Sequence, residues 1–403
     1  MTVHGSWKRA ARGAGLLSAD GTISSTIFAE MSALAVRTGA INLGQGFPDE
    51  DGPEPVLNAA IAAIRAGENQ YPPGIGTLDL RTAVAEHQHR FYGIEVDPDR
   101  EVLITAGATE AIAATLLALL EAGDEVVTFE PFYDAYGALI ALADGVHKTV
   151  PLRAPEFQPD LDELRAAITD RTRVILVNSP HNPTGTVLST EALSLIVELA
   201  HQHDAVIVTD EVYEHLTFGV RHVPIASLPG AWKRTVTISS GGKTFNTTGW
   251  KIGWITAPPE LLTAILAVKQ FLTYVNGAPF QPAIAVGLRL GDDFFDRIAV
   301  DLRAKRDLLS AGLETAGFDV FTSDGTYFVV ADTAPLGFAD AVDFCRRLPE
   351  TAGVVAVPLS AFFGSGYPTA ARTFVRFAFC KRVDVLERAA AQLAELRQRS
   401  TTL

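Results

Sequence analysis

The strongest constraint on the fold is a repeated alternation between short runs rich in β-branched residues and longer stretches rich in alanine and leucine. Each β-branched run has five or six residues, the length of a buried strand. This alternation is typical of a mainly parallel sheet with helices on both faces, and it places the chain in the α/β class. We predict strands at residues 101–105, 125–129, 173–177, 205–209, 235–239 and 252–257, and helices at 108–121, 160–168 and 190–203.

The C-terminal part of the chain has a different pattern. A long charged helix is predicted at residues 294–316, and a final helix from Val383 onward. Short strands at 327–331, 354–358 and 373–379 lie between them and indicate a smaller α+β unit. Because 403 residues are more than one hydrophobic core usually contains, we expect several domains. The predicted division is an N-terminal arm with part of the small domain (1–54), a large domain (55–290) and a C-terminal small domain (291–403).

Composition excludes several classes of protein. The chain has 33 Lys and Arg against 47 Asp and Glu, a net charge of −14, and no basic run, so nucleic acid is not an expected partner. Two cysteines, Cys345 and Cys380, are too few to stabilise a chain of this length by disulfide bonds, and they indicate a reducing compartment. The most apolar run, residues 111–120, is about half a bilayer span. We therefore expect a cytoplasmic protein without a membrane segment.

Polar and glycine-rich clusters follow the predicted strands, where open α/β sheets bind their ligands. Gly107, Ala108 and Thr109 follow the strand at 101–105 and begin an alanine-rich helix, whose free N–H groups could hold a phosphate. Further clusters follow the next strands and bring in several chemically distinct side chains. They are residues 130–133 (EPFY), 178–185 (NSPHNPTG), 210–213 (DEVY) and 240–243 (SGGK).

Lys243 is the most informative of these residues. A nucleotide P-loop does not fit, because Thr237 stands where the first glycine is required and no helical run follows. A lysine at a strand end, flanked by glycines and apolar residues, is suited to a lowered pKa and to Schiff-base chemistry. Together with the aspartate, asparagine and tyrosines of the other clusters and a phosphate site, it is what a pyridine cofactor with a phosphate tail needs.

These motifs resemble those of the fold-type I, class I aminotransferases that use pyridoxal 5′-phosphate (PLP). The chain is most similar in pattern to the subgroup of N-succinyldiaminopimelate and kynurenine/glutamine aminotransferases. The resemblance covers about residues 26–398. It is carried by 42–49 (NLGQGFPD), 69–74 (NQYPPG), 178–185, 209–213 (TDEVY), 240–243 and 375–377 (VRF).

The resemblance implies a role for each matching residue. Lys243 would bind the cofactor covalently and then move the proton, Asp210 would pair with the ring nitrogen, and Tyr213 would hydrogen-bond the ring oxygen together with Asn182. Tyr133 would stack on the ring. The implied phosphate site comprises Ala108, Thr109, Ser240, Lys251 and, from a second subunit, Tyr71. The implied substrate site comprises Arg376 and Gly46 at the α-carboxylate, with Asn182, Phe28 and Asn276.

The implied function is transfer of an amino group between an amino acid, glutamate being the expected donor, and a 2-oxo acid in a homodimer with shared active sites. Residues 274–280 (YVNGAPF), which include Asn276, resemble the succinyldiaminopimelate type more than the kynurenine type. We therefore favour transfer between N-succinyl-LL-2,6-diaminopimelate and 2-oxoglutarate. Two alternatives stay open: a kynurenine/glutamine-type aminotransferase, and a PLP enzyme on the same scaffold that catalyses β- or γ-elimination or replacement.

No metal site is predicted. The sequence has two His-x-His pairs, His87 with His89 and His201 with His203. On a helix, residues two apart point in different directions and do not share a metal ion. We expect these histidines on solvated faces.

Overall fold

The computed structural model describes residues 5–18, 20–364 and 369–400. Within these ranges the strands, numbered along the chain, are β1 (Ile41–Asn42), β2 (Val102–Thr105), β3 (Glu125–Glu130), β4 (Val146–Pro151), β5 (Thr172–Asn178), β6 (Val206–Asp210), β7 (Thr235–Ser240), β8 (Gly253–Thr256), β9 (Asp319–Val320), β10 (Phe328–Asp332), β11 (Val354–Val355), β12 (Val357–Pro358) and β13 (Phe374–Ala378).

The α-helices of the same ranges are α1 (Trp7–Gly13), α2 (Ile27–Thr38), α3 (Glu54–Ala66), α4 (Leu78–Tyr92), α5 (Gly107–Leu119), α6 (Ala135–Leu142), α7 (Leu161–Ala167), α8 (Thr190–Gln202), α9 (Gly241–Thr244), α10 (Pro259–Lys269), α11 (Gln281–Leu288), α12 (Asp292–Ala316), α13 (Ala341–Ala352) and α14 (Val383–Ser400). Short 3-10 helices occur at Ile225–Ser227, Trp232–Arg234, Thr248–Trp250, Ala334–Leu336, Leu359–Phe362 and Thr369–Ala371.

The central sheet has seven strands in the order β2-β8-β7-β6-β5-β3-β4. All neighbours pair in parallel except β8, which runs against both β2 and β7. The carboxyl ends of the other six strands therefore lie at one edge of the sheet. The α/β class with a mainly parallel sheet is confirmed.

The sheet is buried on both faces, which explains its continuous apolar runs. Along β5, Val174 and Leu176 pack into one core cluster with helices α5, α6 and α10. The alternate residues Ile175 and Val177 pack into the other cluster, which also contains α8. Since successive side chains of a strand point to opposite faces, a strand covered on both sides has no polar face.

The strand prediction differs from the structure in several places, among them the two-residue strands β1 and β9, which were not predicted. Strand β4 was not predicted, because this edge strand has a polar sequence (VHKTVP) and its side chains are mostly outside the core. The strand predicted at 354–358 is divided at Ala356. Its first half, β11, pairs with β1, and its second half, β12, pairs with β13 in another sheet.

The smaller unit contains the antiparallel sheet β12-β13-β10-β9, against which α12 packs. A separate parallel pair joins β1 to β11, with Ile41 opposite Val354. Helix α2 packs against α13 beside this pair. Residues near the start of the chain thus lie among those of its C-terminal part. In the ranges that the structure describes, no helix has both the length and the apolar character to cross a bilayer.

Candidate active site

A cavity of about 410 Å³ lies at the carboxyl edge of the central sheet. The segments that follow β2, β3, β5, β6 and β7 all contribute to its wall, because parallel strands end at a common edge. Among the residues predicted from the sequence, twelve line it: Phe28, Gly46, Ala108, Thr109, Tyr133, Asn182, Asp210, Tyr213, Ser240, Lys243, Lys251 and Arg376.

One end of the cavity is suited to an anion. Helix α5 begins at Gly107, whose φ of +74° turns the chain from β2 into the helix. A Cβ atom at Gly107 would lie 3.2 Å from Nζ of Lys251, so the ammonium group lies beside the start of the helix. Ser240 and Thr109 line the same cavity. A helix N-terminus, a hydroxyl and a cation are groups that can bind a phosphate together.

The backbone of Lys251 is held in place by Asn276. Lys251 has a φ of +55°, a left-handed conformation that is uncommon outside glycine. The Asn276 side chain donates to the main-chain oxygen of Lys251 at 2.8 Å and to that of Thr105 at 3.2 Å. Asn276 was predicted in the substrate pocket. In the single chain its side chain instead fixes the main chain next to the anion site.

Lys243 lies in α9, directly after β7, and its Nζ donates to the hydroxyl of Tyr327 at 2.8 Å. The Tyr327 hydroxyl in turn donates to the main-chain oxygen of Gly46 at 2.6 Å. Burial lowers the pKa of Lys243 to about 8. About a tenth of the amine is therefore neutral at pH 7, far more than at the ordinary pKa of 10.5, and the neutral amine is the nucleophilic form.

Asp210 ends β6 and carries a carboxylate with two unlike oxygens. Oδ2 accepts a hydrogen bond from the Tyr136 hydroxyl at 2.6 Å. Oδ1 is buried and has no hydrogen-bond partner among the described residues. Burial raises the pKa of Asp210 to about 6, with the Tyr136 hydrogen bond opposing that rise. An ionised carboxylate with one free oxygen can pair with a cationic N–H group.

Arg376 lies on β13 between two aromatic rings. Its guanidinium carbon is 3.9 Å from the ring centroid of Phe328 and 4.5 Å from that of Phe362. Nη1 donates to Oδ1 of Asn182 at 2.9 Å and Nη2 to the main-chain oxygen of Gly44 at 2.8 Å, whereas Nε has no partner among the described residues. Burial lowers the pKa of Arg376 to about 10, so the group remains charged at neutral pH and can bind a carboxylate.

Tyr71 is the one predicted cofactor residue that lies away from the cavity. Its side chain is 82% exposed, and its ring centroid is 5.7 Å from that of Tyr274. The loop that follows Tyr71 is tied to the 270s loop by Lys269, whose Nζ donates to the main-chain oxygens of Gly74 and Tyr274. Tyr71 is thus displayed at the surface next to Tyr274 of the 270s loop.

The comparisons with known proteins agree with this geometry. Residues 38–393 match the family described as aminotransferase class I and II. The chain belongs to this family. It is 52% identical over 389 residues to a probable N-succinyldiaminopimelate aminotransferase of Mycobacterium tuberculosis, covering 94% of this chain and 98% of the relative. It is 38% identical to a methionine aminotransferase of Escherichia coli, covering 93% and 96%.

A solved structure of N-succinyldiaminopimelate aminotransferase from Mycobacterium tuberculosis has the same fold. Its TM-score is 0.90 at 52% identity, and the match covers 93% of this chain and 97% of that one. The family and fold predicted from the motifs are therefore confirmed, and the protein is an aminotransferase.

Two tyrosines that contact site residues of this aminotransferase were not predicted from the sequence. Tyr136 reaches Asp210 from α6, and Tyr327 reaches Lys243 from the segment before β10. Tyr136 stands three residues after Tyr133, so the helical spacing would have placed both on one side of the chain. The contact of Tyr327 joins residues 84 positions apart, and no local signal indicates it.

The expectation of a solvated face is wrong for His87. This residue is only 1% exposed, its Nε2 lies 2.6 Å from Nε2 of His215, and burial lowers its pKa to about 3. The ligand atoms of His87, His215 and Glu214 lie within 4.8 Å of one another. However, Glu214 already accepts hydrogen bonds from Tyr92 and Ser239. Both carboxylate oxygens of Glu214 are thus occupied, and we interpret the cluster as a buried core group and not as a metal site, although Nδ1 of His87 has no hydrogen-bond partner among the described residues.

Proposed function

We propose that this aminotransferase uses PLP and transfers the amino group of N-succinyl-LL-2,6-diaminopimelate to 2-oxoglutarate. The observation that carries the cofactor assignment is the unpartnered Oδ1 of Asp210, which belongs to the same cavity as the amine of Lys243. An ionised carboxylate left unpaired in a buried site is costly unless a ligand pairs with it. A protonated pyridine nitrogen is such a ligand.

The rest of the cavity fits PLP as well. Ala108 and Thr109 would offer main-chain N–H groups to the phosphate, with the Ser240 hydroxyl and Lys251 as further partners. Tyr133 would lie against the ring, and Tyr213 and Asn182 would hydrogen-bond the ring oxygen. Residues of these types in one cavity match the charges and the hydrogen-bonding groups of the cofactor.

In this mechanism bound PLP supplies a carbonyl that takes up the amino group and a ring that takes up electrons from the substrate Cα. Lys243 holds the cofactor and then, as a free amine, accepts and returns a proton at Nζ, a task that its lowered pKa favours. Asp210 keeps the ring nitrogen protonated. Arg376 and the main-chain N–H of Gly46 hold the substrate carboxylate and thereby orient the Cα–H bond.

The substrate assignment rests on the relative at 52% identity, which is named a probable N-succinyldiaminopimelate aminotransferase. The cavity wall beyond Arg376 is aromatic: Phe28 and Phe362 pack edge to face with centroids 5.4 Å apart. Such a wall accommodates the long methylene chain of the substrate. Transfer from kynurenine has weaker support, from relatives at 34–35% identity that are named kynurenine–oxoglutarate transaminases. Elimination or replacement at Cβ or Cγ has no such support, and both alternatives serve as outcomes of the test.

We also propose a homodimer with shared sites, in which Tyr71 of the partner subunit completes the phosphate site. The high exposure of Tyr71 in the single chain supports this, since its hydroxyl is free to reach a second copy. The two free, buried cysteines fit the proposed cytoplasmic location. We retain the domain division at residues 54 and 290 as part of the proposal, and the pairing of β1 with β11 supports assigning part of the N-terminal segment to the small domain.

A spectral half-reaction tests the function. PLP-loaded protein is mixed with single donors, namely N-succinyldiaminopimelate, glutamate, methionine, kynurenine and glutamine, and the absorbance of the bound cofactor is followed while keto products are measured. We expect N-succinyldiaminopimelate to react with the highest kcat/KM and glutamate to release 2-oxoglutarate. Release of free ammonia together with a keto acid, with the absorbance of the cofactor returning to its starting form, would favour elimination, because transamination leaves the nitrogen on the cofactor. A preference for kynurenine would overturn the substrate assignment.

The control variants are Lys243→Ala and Lys269→Ala. Lys243 is half-buried and Lys269 is buried, but Lys269 contacts main-chain oxygens outside the cavity. Lys243→Ala should abolish the visible band of the covalently bound cofactor, whereas Lys269→Ala should retain it. A band that persists in Lys243→Ala would show that the covalent lysine is misassigned.

A further inference from the structure

Tyr136 lies behind the cavity wall and outside the set of residues predicted for the site. It belongs to α6, is 2% exposed and donates its hydroxyl to Oδ2 of Asp210 at 2.6 Å. Its ring lies perpendicular to that of Tyr133, with centroids 5.6 Å apart, and Tyr133 lines the cavity. Tyr136 therefore contacts both the proposed ring-stacking residue and the proposed partner of the ring nitrogen.

The hydrogen bond decides which oxygen of Asp210 is available. A carboxylate can rotate about its bond to Cβ and present either oxygen or both. Because Tyr136 occupies Oδ2, the oxygen left without a partner is Oδ1. The main chain of the same residue is also fixed, since Nδ2 of Asn178 donates to the Asp210 carbonyl at 2.8 Å.

Tyrosine is chemically suited to this task. Burial beside Asp210 raises the pKa of Tyr136 well above its usual value, so the hydroxyl remains a donor over the working pH range. A hydrogen bond to an ionised group stabilises that ionised form. Removing the hydroxyl would leave Oδ2 buried and unpaired, and the carboxyl would then hold its own proton more tightly.

We propose that Tyr136 is a positioning residue for Asp210: its hydroxyl holds the carboxylate with Oδ1 free and ionised, and so sets the affinity for the protonated ring nitrogen of the cofactor. The proposal rests on the assignment of PLP made above. It predicts an effect that depends on the ring nitrogen and not on the fold.

The test compares PLP with its 1-deaza analogue, which has a carbon atom in place of the ring nitrogen. Equilibrium affinities of the cofactor-free protein for both compounds are measured in wild type, Tyr136→Phe and Tyr92→Phe. Tyr92 is the matched control, because its hydroxyl also donates to a buried carboxylate, that of Glu214, at 2.6 Å, but outside the cavity. We expect Tyr136→Phe to weaken PLP binding about tenfold more than binding of the analogue. Tyr92→Phe should affect both compounds equally.

A second measurement uses pH. In Tyr136→Phe the affinity for PLP should begin to fall at a higher pH than in wild type as the solution is acidified, and the affinity for the analogue should not show this shift. An equal loss for both compounds, or an unchanged pH profile, would overturn the role of Tyr136. A wild-type protein that binds PLP no better than the analogue would overturn the pairing of Asp210 with the ring nitrogen, and with it the proposed cofactor chemistry.

Discussion

At the scale of single residues, the buried charge of Asp210 lowers the free energy of unfolding of the cofactor-free protein. Its carboxyl has a pKa of about 6 in the fold against 3.8 as the reference, because burial opposes its charge. Because the pKa is raised, the contribution of this carboxyl to the stability of the fold is fully present below pH 3.8 and is lost as the pH rises through 6. The cofactor-free protein therefore carries an unfavourable buried charge at neutral pH.

We predict that Asp210→Asn stabilises the cofactor-free protein at pH 8 by up to about 3 kcal/mol, the equivalent of the shift in pKa. The gain should shrink as the pH falls from 6 towards 4, because the wild-type carboxyl becomes neutral. Urea unfolding of both proteins across this range measures it. Asp324→Asn, at a residue whose carboxyl lies outside the cavity, is the control. A gain that does not depend on pH would contradict the explanation.

At the scale of elements, the start of α5 depends on a glycine. Gly107 has a φ of +74°, and a Cβ atom there would press on Lys251. Gly107→Ala should cost about 1 kcal/mol of stability from the left-handed backbone. It should also weaken PLP binding by about threefold, since the Nζ end of Lys251 must shift by a few tenths of an ångström at the phosphate site. Pyridoxal, which has no phosphate, should bind almost as well as to wild type.

Gly67→Ala is the control for this prediction. Gly67 follows α3 with a φ of +88°, and no atom lies within 4 Å of the position of its Cβ. It should therefore reproduce the loss of stability without a change in affinity. If both variants bind PLP as wild type does, the phosphate does not lie at the start of α5.

At the scale of the whole molecule, the net charge of −14 opposes the approach of dicarboxylic substrates, and the cavity cations Lys243, Lys251 and Arg376 form a local exception.

The anion site is proposed to be complete only in a dimer. Neither Tyr71→Phe nor Lys243→Ala should be active at limiting PLP. Mixing them through reversible unfolding should restore activity, because one site of the mixed dimer holds Lys243 of one subunit and Tyr71 of the other. Activity no higher than the sum of the parents would contradict shared sites.

The sequence by itself determined the α/β class, the order of the strands along the chain and the residue types that follow them. These properties are local: a buried strand needs a continuous apolar run, and a glycine-rich turn follows it within a few residues. The polar edge strand β4 lacks that run, so it was not predicted.

Only the tertiary structure decided how these residues act on one another. Tyr327 meets Lys243 across 84 positions and Tyr136 meets Asp210 across 74, and neither contact was predicted from the sequence. Burial depends on the same distant contacts, and burial sets the pKa values of Lys243 and Asp210. The sequence gives the type of each residue directly. The desolvation and hydrogen bonding that shift its pKa come from chain segments that meet only in the folded protein.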